Sequence, residues 1–440
     1  MKNGFGVASA IAALLLPNAL VSAQSGLAAS FRGGASHPGI YAGRDFVTQP
    51  AIKWQFRTAG RFIGSPTVAA GSAYIGNTDG NLYAFDASTG RKRWAFHTEA
   101  RITSTPAVWN GSVYVMSYDG SFYAIDERTG KSRWTFRTKG ERRYAGKNLH
   151  GFPPAGETMP DPFDLYLSSP AIVDGVVYVG SGDGNVYALD ALTGRLRWRF
   201  QTGDVVHSSP AVVDGVVYVG SWDRYMYALD ARRGTPIWKF QTGQDTVIHN
   251  QVGIQSSPTV VGGVVYFGCR DAHVYAVDAR TGRQRWAFFT GGAWVLGTPV
   301  VDAGVVYVGT GDSEQLVMLD AASGKQLSAL RLGWYLFGSP AIVGNTLLIG
   351  SWNGKLSAID LKTRRVAWVY QPASSKANIA AFTKPDGTLR LRPAGSEVFY
   401  DALVTAIDRS FSMGGLLASP VIADGTIYIA SVDGVLTALH

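Results

Sequence analysis

Residues 169–201 read SPAIVDGVVYVGSGDGNVYALDALTGRLRWRFQ, and this stretch decides the fold. Pro170 to Val173 is a short apolar run that stops at Asp174-Gly175. Val176 to Gly180 follows and stops at Asp183-Gly184; Asn185 to Leu189 comes next, and after Thr193-Gly194 the run Leu196 to Gln201. Two-residue Asp-Gly and Thr-Gly turns between β-branched and aromatic runs predict four strands in an antiparallel meander.

The same order recurs along the chain. A hydroxyl residue followed by proline opens a copy at Ser65-Pro66, Thr105-Pro106, Ser169-Pro170, Ser209-Pro210, Ser257-Pro258, Thr298-Pro299, Ser339-Pro340 and Ser419-Pro420. A four-stranded meander repeated at about forty residues is a propeller blade. The expected fold is therefore all-β, an eight-bladed β-propeller. Proline has no N–H and belongs at the first residue of a strand. The residue two before each proline is small (Gly64, Ser104, Ser168, Ser208, Ser256, Gly297, Gly338, Ala418), as crowding of the innermost strands at the axis requires. Asp79, Asp119, Asp183, Asp223, Asp271, Asp312, Asn353 and Asp433 fall in the hairpins between second and third strands. A calcium ring is one reading of them; tight-turn chemistry accounts for them at lower cost.

The turn between third and fourth strands reads Ala-x-Asp-x-x-Thr-Gly-x-x-x-Trp. It is complete at Ala84 to Trp94, Ala124 to Trp134, Ala188 to Trp198 and Ala276 to Trp286. At Ala228 to Trp238 the threonine is Arg233, at Ala358 to Trp368 the glycine is Arg364, and the sixth copy ends in Ser328. This pattern resembles the tryptophan-docking motif of the quinoprotein-type, PQQ-like propeller repeat, from about residue 50 to the end. The resemblance implies either of two functions. One is a dehydrogenase that oxidises alcohols or sugars with pyrroloquinoline quinone; its catalytic members are longer, with adjacent cysteines under the cofactor and a calcium held by Glu, Asn and Asp. The other is a binding or assembly module like the non-catalytic propeller lipoprotein of barrel assembly, which is nearer in length.

The chain ends complete the architecture. The eighth copy stops at His440 after its third strand, while Ile52 to Thr58 matches a fourth strand. The N-terminus should close the last blade and so remove the open sheet edges. Upstream, Lys2, an apolar run from about Phe5 to Val21, and Val21-Ser22-Ala23 fit a signal peptide over residues 1–23. An N-terminal extension, 24–50, then precedes the propeller at 51–440. The apolar run is too short, and interrupted by Pro17, for a membrane anchor, and no later segment could span a bilayer, so the mature chain is expected to carry no transmembrane segment. No cysteine lies near the cleavage position, and the expected location is periplasmic or extracellular, without a lipid anchor.

Composition narrows the function classes. Cys269 is the only thiol, which excludes an intrachain disulfide, a Cys-x-x-Cys site and covalent haem. The net charge of +8 is spread over positions after the Thr-Gly turns, such as Arg93, Arg133, Arg197 and Arg285. Such spreading predicts a solvated rim and no nucleic-acid groove.

Departures from the repeat mark one face. Insertions at about 139–166 and 372–417, and a short one at 244–254, all join a fourth strand to the next first strand, on the same side as the Asp-Gly hairpins. Loops on a rigid scaffold are where function concentrates. Ser396 to Phe411 reads as a helix with Glu397 near its start. Between the fourth and fifth blades the polar exceptions converge: His207, Trp222, Gln255 and Arg270, with the inserted His249 and Asn250 between them. A cation, amides, imidazoles and an indole at one mouth suit a small planar or anionic ligand or a protein partner. Alternatively these groups satisfy one another and the inserted loops. The hairpin requires Asp271 and not Arg270, so Arg270→Ala is expected to cost little stability. Glu157, Asp161 and Asp164 are candidates for acid–base work or simply a solvated loop, and His150, His207 and His249 for a metal site or structural duty. No Gly-x-Ser-x-Gly, His-Glu-x-x-His or phosphate-binding glycine loop occurs.

Overall fold

A computed structural model describes residues 28–147, 149, 157–244, 252–385 and 399–440; the expected signal peptide lies outside them. Eight four-stranded antiparallel sheets follow one another around an axis. In the third blade the strands are Ala171–Val173, Val176–Gly180, Asn185–Asp190 and Leu196–Gln201, in the order read from the sequence. The last blade combines Val421–Ala423, Thr426–Ala430 and Val435–Leu439 with Ile52–Arg57, antiparallel and in the register Trp54 to Ala438. The N-terminal strand closes the ring.

The hydroxyl before each proline has a function that strand grammar alone does not reveal. Ser65 N–H donates to Thr105 Oγ1 at 3.0 Å, Thr105 to Ser169 at 2.9 Å, Ser169 to Ser209 at 3.0 Å and Ser209 to Ser257 at 2.8 Å. Thr298 donates to Ser339 at 2.9 Å, Ser339 to Ser419 at 3.2 Å, and Ser419 back to Ser65 at 2.9 Å. Seven of the eight blades thus satisfy a buried backbone N–H with the next blade's side chain, as burial demands; among the described residues only the link from Ser257 to Thr298 is missing.

A second set of ties runs around the rim. Each fourth-strand tryptophan donates its indole N–H to a turn carbonyl of the next blade: Trp54 to Ala87, Trp94 to Glu127, Trp134 to Ala191, Trp198 to Ala231, Trp238 to Ala279 and Trp286 to Ala321, all at 2.9–3.0 Å. The indole lies on the glycine of that turn. At the last such seam Trp368 donates instead to Phe46 O at 2.8 Å, so the N-terminal extension stands in for the turn that the split blade lacks. The rim arginines Arg93, Arg133, Arg197 and Arg285 each reach the aspartate seven residues before them at 2.8 Å.

The hairpin aspartates hold their turns, and Asp183 and Asp223 also accept the N–H of Lys139 and Gly203 from the preceding crossover. Asp79, Asp183 and Asp223 each accept the N–H two residues on at 2.9 Å, and Tyr83 and Tyr227 return hydroxyls to Asp79 and Asp223 at 2.6 and 2.7 Å.

The extension also threads one end of the axis, which sequence patterning left without a role. Ala29 exchanges both backbone bonds with Val108; Val212, Val260 and Ile342 donate to Ala35, Ser36 and Gly39 at 2.8, 3.1 and 2.8 Å. Ile40–Tyr41 then pairs in parallel with Ala341–Val343, making the seventh sheet five-stranded. The N–H groups satisfied are those of the central residue of four of the eight innermost strands.

Candidate functional site

The opposite end of the axis is closed by the insertions. Part of the first forms a small hairpin, Ala145–Lys147 against Thr158–Pro160, and then turns inward through Asp161 to Asp164. Phe163 N–H caps onto Asp161 Oδ1 at 2.8 Å, and Tyr144 N–H onto Asp164 Oδ2 at 2.7 Å. The second contributes the helix Phe399–Ser410, inside the expected 396–411 range, followed by a 3-10 turn Phe411–Met413; Ser396 and Glu397 lie outside the described residues. Trp352 holds that helix by donating to Ser410 Oγ at 2.8 Å. Phe163, Trp294, Phe337, Trp352, Phe411 and Leu417 pack together as an apolar plug over the axis.

His207, Trp222, Gln255 and Arg270 do converge beside this plug, and all four are buried. Arg270 has no exposed surface. Its Nη2 lies 3.0 Å from Asp161 Oδ2, an ion pair not aligned as a hydrogen bond. Its guanidinium sits 3.9 Å from the Trp294 ring centre and 4.7 Å from that of Trp222. Nη1 donates to Gln255 Oε1 at 3.3 Å, and Gln255 Nε2 donates to Phe163 O at 3.0 Å. Tyr144 stacks on Trp222 at 4.3 Å and 9°. The expectation that Arg270 is dispensable to the fold is therefore corrected. Truncation would take a buried cation away from the buried Asp161 carboxylate, a costly change.

His207 is gripped from both sides. Nδ1 meets Asp164 Oδ1 at 2.7 Å and Nε2 meets Glu141 Oε1 at 3.0 Å, with no side chain of the three exposed. Burial alone would lower the imidazole pKa, but the two carboxylates outweigh it and raise it to about 9. Burial also pushes the Glu141 carboxyl up, partly offset by His207 and by the N–H of Gly182. Asp161 and Asp164 are buried, correcting the solvated-loop reading for these two; Glu157 is exposed. His249, Asn250 and His150 lie outside the described residues. Among the described residues no cluster of His, Cys, Asp or Glu is arranged to hold a metal ion. Sequence reasoning missed Glu141, Tyr144 and Trp294, none of which stands in a motif.

A family model described as outer membrane protein assembly factor BamB, of the PQQ_2 type, matches residues 48–150, 163–293 and 270–438. The chain belongs to this family. No curated protein matches it in sequence. Among solved structures, BamB from Moraxella catarrhalis is similar at 17% identity and a TM-score of 0.59, covering 88% of this chain and 97% of that one. A europium-containing methanol dehydrogenase aligns at 14% identity and 0.66, over 93% and 91% of the two chains. The quinohemoprotein alcohol dehydrogenase of Comamonas testosteroni aligns at 14% and 0.67, over 93% and 80%. At these identities the likeness is one of fold, shared by assembly factors and dehydrogenases alike. No helix among the described residues of this PQQ_2 chain is long and apolar enough to cross a membrane.

Proposed function

We propose that this protein is an exported binding or assembly module that meets its partner through the face built by the two insertions. One observation carries the reading: the axial mouth is filled by the chain itself. Asp161 takes the Arg270 guanidinium, Phe163 enters the apolar plug, and the axial cavity that remains measures about 40 Å³. In this reading His207, Trp222, Gln255 and Arg270 hold the first insertion in a fixed shape for a protein partner. A rigid, presented loop loses little entropy on docking. The periplasm or extracellular space is the proposed location.

Pyrroloquinoline quinone, the cofactor that the family resemblance raises, does not fit these residues. It is a planar three-ring tricarboxylate, and about 40 Å³ holds only a few water-sized guests. Cys269 is buried, its Sγ 3.4 Å from Gly253 O, and it has no second cysteine with which to form a disulfide. We derive no catalytic step from that cofactor.

The test is reconstitution with pyrroloquinoline quinone and calcium. The expected result is no reduction of an artificial electron acceptor by alcohols or sugars, and no quinone absorbance retained after desalting. Turnover would overturn the reading.

A further inference from the structure

The hydroxyl girdle leaves its donors unused. All eight girdle residues, from Ser65 to Ser419, line the axial cavity. Seven of their oxygens accept a backbone N–H, and none of the eight hydroxyls donates to a described residue. A hydroxyl whose oxygen already accepts still carries a proton to give. The ring therefore presents O–H donors around the axial space. Thr103, one layer above and also lining that space, is buried with its hydroxyl unpartnered.

The sign of the guest follows from Arg32. This arginine is 2% exposed and donates to Pro340 O at 2.8 Å and Pro299 O at 3.2 Å, the residues next to Ser339 and Thr298 of the girdle. Its neighbour Phe31 lines the cavity. No carboxylate forms an ion pair with Arg32 among the described residues, and its Nε is unpartnered. Burial drives its pKa down to about 10. His37, the other basic group at this end, is buried with its Nδ1 2.9 Å from Pro258 O; burial first, and Arg32 besides, lower its pKa to about 3, so it adds no charge at neutral pH. A buried cation without a counter-ion is costly. On the other side both nitrogens of His207 are already used by Asp164 and Glu141. Donor hydroxyls and an uncompensated guanidinium disfavour a cation here.

We propose that the axial cavity is a binding site for one small inorganic anion of halide size, held by the girdle hydroxyls and Thr103, with Arg32, which does not line the cavity but is bonded to the carbonyls of Pro340 and Pro299 beside the girdle, supplying the balancing charge at longer range. A volume of about 40 Å³ admits such an ion with residual water and excludes a tetrahedral oxyanion together with its hydration shell. Binding at the axis ties all eight innermost strands to one guest, so occupancy stabilises the folded ring by mass action.

Bromide is the probe. Crystals grown with bromide replacing chloride should show an anomalous peak on the axis at the girdle level. In solution the Tm should rise with chloride or bromide at constant ionic strength but not with sulfate. Thr298 accepts no girdle N–H, so Thr298→Val removes a donor without breaking a link. This variant and Thr103→Val should fold normally and lose most of the halide-dependent shift. Axial density without anomalous signal in bromide, together with equal Tm values in halide and sulfate, would mean water alone and would overturn the proposal. So would a halide shift that both variants retain in full.

Discussion

The indole of Trp198 on the third blade lies so close to Gly234 on the fourth that a Cβ on that glycine would stand 2.5 Å from the ring. The glycine also has φ +69°, where an L side chain costs about 1 kcal/mol or more. Gly234→Ala should therefore cost about 2 kcal/mol or more in urea denaturation. Trp198→Phe, which forfeits the bond to Ala231 O and some packing, should cost about 1–2 kcal/mol. Equal and negligible effects would mean that the seam is not a tie.

One seam departs from this pattern on both sides at once. The sixth blade carries Ser328 opposite Met318, where the other blades place tryptophan opposite alanine, and the seventh carries Arg364 at φ 54° where its neighbours carry glycine. Without an indole to receive, the turn has no need of glycine. Ser328→Trp alone should destabilise, while Ser328→Trp with Arg364→Gly should recover stability to wild type or above. A double-mutant cycle without coupling would refute this account.

Arg270 and Asp161 are a buried pair, and removing either takes a counter-charge from the other. Arg270→Ala should cost about 3–5 kcal/mol, and the double variant with Asp161→Ala less than the sum of the singles. Chemical denaturation measures both, and an Arg270→Ala loss under 1 kcal/mol would return the residue to the status of a free surface group.

His207 should make stability depend on pH in a defined window. Its folded pKa, about 9, stands above the ordinary 6.5, so the proton is bound more tightly in the folded state. The stability it adds is complete below pH 6.5 and is lost as pH rises through about 9. The difference in urea midpoint between wild type and His207→Gln should shrink across that range. A difference that stays constant would mean a neutral imidazole.

Deleting residues 51–58 removes the outer strand of the last blade, including Trp54 and its bond to Ala87 O. Tm should fall, because both the last blade and its seam with the first lose partners. An unchanged melting curve would show that the ring does not depend on closure.

Blade number, strand order, turn positions and ring closure were legible in the amino-acid sequence because each depends on local chemistry repeated eight times. Asp-Gly at a hairpin or proline at a strand start carries the same meaning in every copy, and copies check one another. The convergence of His207, Trp222, Gln255 and Arg270 was legible for the same reason, as departures from the repeat at equivalent positions. What they converge on was not. Asp161, Asp164 and Glu141 sit in a non-repeating insertion, where charge pattern alone does not distinguish a solvated carboxylate from one buried against a cation on another blade. The path of residues 28–46 through the axis, and the hydroxyls that link blade to blade, were decided by tertiary structure. Each satisfies backbone groups exposed only once the ring has formed, and no local signal in the chain records which distant N–H a given oxygen will meet.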